Sequence, residues 1–158
     1  MAGGPLSPSS ITYAADGVTG GVHVGGTNSR EIQGTLLEAS PSVDNTVRLY
    51  WDVIPTLPTG TFKLQITSVA NATSGTVVYD PQWIGIAAEA DLDPASLNAE
   101  GNTTTTWASG DDDALKITEI TLDADTLAAG DSVYMELVFD STSTMAAVST
   151  HKFALIWE

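Results

Sequence analysis

Short stretches in which apolar and polar residues alternate recur along most of this chain of 158 residues. The clearest are residues 46–53, 61–67 and 132–139, where every second side chain is apolar. A period of two is typical of a β-strand with one buried face and one solvated face. Five more runs have a strand-like composition: residues 76–79, 83–88, 102–107, 115–122 and 151–157.

Turn residues separate these runs at intervals of roughly 8–12 residues, a spacing typical of β-sandwiches and β-barrels. We predict an all-β protein, an antiparallel β-sandwich of about eight strands of the jelly-roll type. Residues 115–117 and 120–122 alternate out of phase with each other, which predicts a bulge near Thr118 or Glu119. Trp51 and Trp157 follow the inward phase of their strands and are predicted to lie in the core.

The first 34 residues differ from the rest because they hold eight of the fourteen glycines. Glycine loses much conformational entropy on ordering, and the apolar residues here are too sparse for a core. We predict an extended Gly-rich N-terminal arm, or a run of loops, at residues 1–34, followed by the sandwich domain at residues 35–158. The arm would become ordered against a partner, with Ile11 and Tyr13 as its candidate contact residues.

Acidic residues outnumber basic ones by 20 to 5, which gives a formal net charge of −15. Binding to nucleic acid or to an anionic membrane needs Lys and Arg that displace counterions, so we predict neither partner. A strongly acidic surface suits a halophilic or marine source, because about 1 M salt screens charges over ~3 Å. It suits an ordinary soluble protein equally well. No run approaches the ~20 apolar residues of a membrane span, and the first five residues do not resemble a signal peptide.

The sequence contains no residue pattern that is typical of a catalytic site. The chain has no cysteine and only two histidines, His23 and His151, neither of which has the spacing of a zinc site or a catalytic triad. Glu89 and Glu136 are the candidates for the carboxylate pair of a glycosidase. The alternation of the strand already explains Glu136 as an outward-facing residue. We predict no catalytic residues and therefore no enzyme.

Clustered aspartates offer a weak candidate for a calcium site, since calcium prefers oxygen ligands. The candidates are Asp111, Asp112 and Asp113, which follow one another in a predicted loop. The pairs at residues 91 and 93 and at residues 123 and 125 are alternatives. Aspartate also favours turns through hydrogen bonds to its own backbone, and this interpretation explains all three clusters. We predict no other cofactor.

The chain has four tryptophans, and two of them are candidates for a binding surface. Trp83 follows a proline at the start of a predicted strand, and Trp107 lies beside the aspartate-rich loop. Exposed indoles can stack on sugars or anchor a subunit interface. Packing in the core is the competing interpretation for both.

A set of turns and aromatic residues resembles small jelly-roll proteins encoded by tailed viruses of bacteria and archaea. These features are residues 56–61 with Lys63 and Leu64, residues 71–75, Pro81 with Trp83, residues 99–101 with Trp107, residues 121–126 and residues 129–130. They lie within a little over half of the chain and leave the Gly-rich segment uncovered.

The resemblance implies a capsid decoration (cement) protein on the outer surface of a virion, made in the host cytoplasm. Its partners would be the major capsid protein and further copies of itself, as a homo-oligomer and often a trimer. No catalytic residue is carried over from such proteins. Two alternatives come from the residues themselves: a carbohydrate-binding β-sandwich module of a tail fibre or secreted enzyme, and a glycosidase that uses Glu89 and Glu136.

Overall fold

A computed structural model describes residues 3–13, 18–23, 32–39, 44–52, 54, 61–70, 74–87, 96–111, 114–124, 127–145 and 148–157. Within these ranges it has twelve β-strands: β1 (Gly3–Leu6), β2 (Ser10–Tyr13), β3 (Val18–His23), β4 (Ile32–Ala39), β5 (Asn45–Trp51), β6 (Phe62–Ala70), β7 (Gly75–Ile86), β8 (Asn98–Ala99), β9 (Thr103–Trp107), β10 (Leu115–Leu122), β11 (Ser132–Phe139) and β12 (Val148–Trp157). None of these described residues belongs to a helix long and apolar enough to cross a membrane.

The strands form two six-stranded sheets in which every pairing is antiparallel. The first, sheet I, has the order β10-β6-β12-β4-β3, with β1 also paired to β12. The second, sheet II, has the order β2-β5-β11-β7-β8, with β9 also paired to β7. The prediction of an all-β antiparallel sandwich of the jelly-roll type is therefore confirmed.

The core lies between the sheets and is built by the inward half of each alternating strand. In β11, buried and partly exposed residues alternate without interruption from Ser132 to Phe139. Aromatic rings join the two layers: Phe62 of sheet I meets Trp83 of sheet II edge to face, with 5.5 Å between ring centroids. Trp51 and Trp157 are buried, as their strand phase predicts.

Strand β10 does not contain the bulge that the sequence predicts near Thr118 or Glu119. It pairs with β6 in one continuous register along its whole length, so the prediction of a bulge is wrong. A shift of one residue would move every side chain to the other face. Because β10 keeps Ile120 inward, it leaves Leu115 and Ile117 outward, 52% and 58% exposed. Register shifts of sheet I occur instead in the pairing of β12 with β6, between Thr150 and Lys152, and in the pairings of β1 with β12 and of β3 with β4.

The Gly-rich segment contributes three strands to the sandwich. β1 pairs with β12, β2 with β5 and β3 with β4. The prediction of loops or an unpaired arm is therefore wrong for the residues of these strands. Backbone hydrogen bonds in a sheet do not require large side chains, so sparse apolar residues did not prevent pairing. The division into domains at residue 34 stays a prediction.

Candidate functional site

The outer face of sheet II carries two parallel rows of side chains that run across the strands. The first, which we call the aromatic row, contains Tyr50 of β5 directly opposite Tyr134 of β11. The second, the polar row, is displaced by two residues along the same strands and contains Arg48 opposite Glu136. All four occupy the outward phase of strands whose alternate residues are buried in the core.

Neighbouring strands extend both rows. Ser10 of β2 lies opposite Tyr50, and Ile84 of β7 lies opposite Tyr134, so the aromatic row crosses four strands. Gln82 of β7 lies opposite Glu136 and, on its other side, opposite Ala99 of β8. Since neighbouring strands are ~4.8 Å apart, four strands span about 14 Å.

Glu136 organises the polar row and ties it to the aromatic row. Its Oε1 accepts a hydrogen bond from Nε of Arg48 at 3.0 Å and another from the hydroxyl of Tyr134 at 2.7 Å. The side chains of Arg48 and Glu136 are 48% and 29% exposed, so both remain accessible to a ligand. The three side chains therefore form one connected network.

The network also fixes the charges of its members. The hydrogen bond from Tyr134, followed by that from Arg48, lowers the pKa of Glu136 below its ordinary value of 4.5. Burial, and next the hydrogen bond to Glu136, raises the pKa of Tyr134 above its ordinary value of 10.0. At neutral pH the carboxylate is therefore ionised, the phenol keeps its donor proton, and Arg48 and Glu136 balance each other's charge.

Trp83 and Trp107 do not lie on a binding surface. They are 0% and 1% exposed, so the interpretation as surface anchors is wrong and the competing core interpretation is confirmed. The nitrogen Nε1 of Trp83 donates to Oε1 of Glu100 at 2.5 Å, and that of Trp107 donates to the backbone oxygen of Ala114 at 3.0 Å. Each indole packs its apolar body in the core and directs its polar edge to a nearby acceptor.

The two candidate contact residues of the N-terminal segment lie in β2. Ile11 is partly buried and packs against the core, so it supports the sandwich instead of projecting from an arm. Tyr13 pairs through its backbone with Val47 of β5, and its side chain lies outside what the structure describes. Neither residue is placed on the two rows.

The structure describes only one member of the predicted calcium cluster. Asp111 closes a turn, with Oδ2 accepting from the backbone nitrogen of Ala108 at 2.9 Å and from Nζ of Lys116 at 2.8 Å. The hydrogen bond from Lys116 is the main reason why the pKa of Asp111 is lowered. Asp112 and Asp113 lie outside the described residues, as do residues 91, 93 and 125. Calcium binding stays a prediction, and the described residues contain no group of three metal-binding side chains.

The structure describes one of the two carboxylates that are candidates for a glycosidase. Glu136 faces outward, as the alternation predicted, while Glu89 lies outside the described residues. His151 is partly buried at the register shift of β12, and His23 lies in β3.

One further surface feature lies beside the short edge strand β8. Asn98, Ala99, Glu100 and Asp123 line a shallow cleft of about 250 Å³. Oε1 of Glu100 already accepts hydrogen bonds from Trp83 and from the backbone nitrogen of Asp123, the latter at 2.9 Å. The carboxylate therefore joins β7 to the end of β10.

No known protein family matches this chain, and no curated protein matches it. Solved structures do. TmCBM27, a carbohydrate-binding module described for specific mannan recognition, aligns over 100% of this chain and 98% of its own at 10% identity, with a TM-score of 0.50. An arabinose-bound α-L-arabinofuranosidase aligns over 96% of this chain at 10% identity with a TM-score of 0.51, and the alignment spans 24% of that protein. A xylan-binding domain from Paenibacillus barcinonensis aligns over 96% of this chain and 90% of its own at 14% identity, with a TM-score of 0.48.

The likeness to TmCBM27 shows the fold, and it corrects the interpretation of the chain as a capsid decoration protein: a carbohydrate-binding module has this same fold, so the fold does not indicate a virion protein. The residues behind the viral resemblance include Trp83 and Trp107, which are buried. Buried aromatics and turns meet requirements of the sandwich and carry no information about a partner. The homo-oligomeric state stays a prediction.

Proposed function

We propose that this chain is a non-catalytic carbohydrate-binding module whose site is the aromatic row and the polar row of sheet II. The observation that carries the proposal is the network in which Glu136 holds both Arg48 and Tyr134, with Tyr50 beside them. The shared fold supports it by providing the same kind of scaffold as TmCBM27.

Sugars present an apolar face of C–H groups and a rim of hydroxyls, and the two rows match these two surfaces. Tyr50 and Tyr134 offer aromatic surface with polar tips, which suits contacts that are apolar on one side and wet on the other. Arg48 and Glu136 supply charge-assisted hydrogen bonds, which are stronger than neutral ones. Gln82 adds an amide that can donate and accept.

The network also lowers the cost of binding. Ordering a flexible side chain at an interface costs about 0.5–1.5 kcal/mol. Arg48 and Tyr134 are already held by Glu136 before a sugar arrives. The rows cross the strands over about 14 Å, so the site suits a glycan chain lying across the sheet better than a single ring.

Isothermal titration against soluble mannan, xylan and galactan tests the proposal. The wild type is expected to bind at least one of them, and Tyr50→Ala is expected to lose most of the affinity while unfolding at nearly the same temperature. Thr121→Ala, an exposed position on the outer face of sheet I, is the control and is expected to bind as the wild type does. Failure of the wild type to bind any glycan, or equal binding by Tyr50→Ala, would contradict the proposal.

A further inference from the structure

The polar row carries one positive and one negative charge in direct contact. Nε of Arg48 and Oε1 of Glu136 are 3.0 Å apart. The same kind of pair occurs on the outer face of sheet I, where Nζ of Lys63 and Oε2 of Glu119 are 2.7 Å apart. The rest of the chain is strongly acidic, with a net charge of −15.

The ion pair between Arg48 and Glu136 affects how strongly the site could bind a charged sugar. A uronic acid carboxylate that approached Arg48 would have to compete with Glu136 for the guanidinium. It would also come within a few ångströms of the Glu136 carboxylate, and like charges at that distance repel. An uncharged sugar meets no such cost, since its hydroxyls can donate to Glu136 and accept from the remaining N–H groups of Arg48.

We infer that the site selects uncharged glycans over uronic-acid polymers, and that Glu136 is the residue that sets this specificity by neutralising and orienting Arg48. The inference rests on the proposed function and goes further by naming the class of ligand and the residue that selects it.

Glu136→Gln tests the inference, because it keeps the size of the side chain and an oxygen acceptor for Tyr134 but removes the charge. Arg48 then has no anionic partner in the row. We expect the affinity for polygalacturonate or alginate to rise about tenfold at low ionic strength, the size of one charge-assisted hydrogen bond. The gain is expected to disappear in about 1 M salt, where screening acts over ~3 Å. Affinity for the neutral glycan is expected to fall.

Glu119→Gln is the matched control. It removes the same charge from the same kind of pair on the other sheet, so it changes the net charge equally. No gain of uronate binding is expected from it. A gain of equal size would show that net charge, and not the position of Glu136, controls the ligand class, and would overturn the inference.

Other outcomes separate the inference from the proposed function. Wild-type binding to uronates that depends on Tyr50 would overturn the inference and leave the proposed function standing. Binding to no polysaccharide would overturn both. If Glu136→Gln does not fold, Arg48→Gln provides the test: it is expected to weaken neutral-glycan binding without producing uronate binding, and stronger uronate binding would overturn the inference.

Discussion

Tyr50 and Tyr134 lie directly opposite each other on neighbouring strands, on the outer face of sheet II. Only Tyr134 is tied to the polar row, through its hydroxyl at 2.7 Å from Oε1 of Glu136. Its ring and its hydroxyl should therefore make separable contributions. Tyr134→Ala is expected to weaken glycan binding by about tenfold or more, the scale of a tyrosine at the centre of an interface. Tyr134→Phe keeps the ring and is expected to weaken it only a few-fold. Titration calorimetry distinguishes the two, and equal losses would contradict a stacking role.

The ionisation of Glu136 makes binding depend on pH in a defined direction. Its pKa is lowered in the folded protein, first by the hydrogen bond from Tyr134 and then by that from Arg48. Because this pKa is lowered, Glu136 stays ionised and the network stays intact at every pH above the ordinary pKa of 4.5. The network is lost as the pH falls through the lowered pKa of the folded protein and the carboxylate becomes protonated. Glycan affinity is expected to be constant from neutral pH down to about 4.5 and to fall in more acidic solution.

Tyr134→Phe provides the control for this pH dependence. It removes the largest cause of the lowered pKa of Glu136, so its affinity should begin to fall at a higher pH than that of the wild type. Affinity measured across the acid range for both proteins checks the shift. Coincident pH profiles would show that Glu136 does not control the acid limit.

Alternation along single strands predicted much of the sandwich, including the outward position of Glu136 and the burial of Trp51 and Trp157. The same alternation places Tyr50 and Tyr134 outward, so it could have identified them as surface aromatics. What it could not provide is their proximity. Their pairing depends on the register between β5 and β11, which are separated by more than 80 residues in the chain.

The sequence misled where sheet pairing overrides the local pattern. Leu115 and Ile117 look like inward residues of a strand, yet continuous pairing with β6 leaves them exposed. Trp83 and Trp107 stand beside turns and polar residues, and nothing local indicates that partners from other strands bury them. Tertiary context decides such positions, because strand preferences depend on the neighbouring strands and faces.

Gly75 lies close to the backbone of Met145, which leaves little room for a side chain. Its φ is +150°, and a Cβ built there would lie 3.0 Å from the backbone Cα of Met145. Gly75→Ala is therefore expected to destabilise the protein by about 2 kcal/mol or more, since backbone cannot yield as a flexible side chain does. Gly101→Ala is the matched control, because its φ is +79° but no atom lies within 4 Å. Gly101→Ala is expected to reduce the free energy of unfolding by about 1 kcal/mol. Urea unfolding of both variants measures the two losses, and equal losses would show that the contact with Met145 is unimportant.

Glu100 satisfies the buried indole of Trp83, with 2.5 Å between Oε1 and Nε1. Glu100→Ala is expected to reduce the free energy of unfolding by about 1–3 kcal/mol, because the indole N–H loses its acceptor inside the core. Glu100→Gln keeps an amide oxygen and is expected to cost less. Equal stability of the alanine variant and the wild type would contradict this role.

The hydroxyl of Tyr79 sets an alkaline limit on stability. Burial raises the pKa of Tyr79 to about 12, and the hydrogen bond to Ser68 opposes this only in part. Because the folded protein holds the proton more tightly than the unfolded chain, stability is complete below the ordinary value of 10.0 and is lost as the pH rises towards about 12. Each pKa unit corresponds to ~1.4 kcal/mol, so the loss is about 2–3 kcal/mol.

Tyr79→Phe gives up the hydroxyl contact with Ser68, at a cost of about 0.5–1.5 kcal/mol near neutral pH. It should then lose less stability than the wild type between neutral and alkaline solution, so that the two unfolding curves approach each other as the pH rises. Urea unfolding of both proteins at several alkaline pH values measures this, and parallel losses would show that Tyr79 does not set the limit.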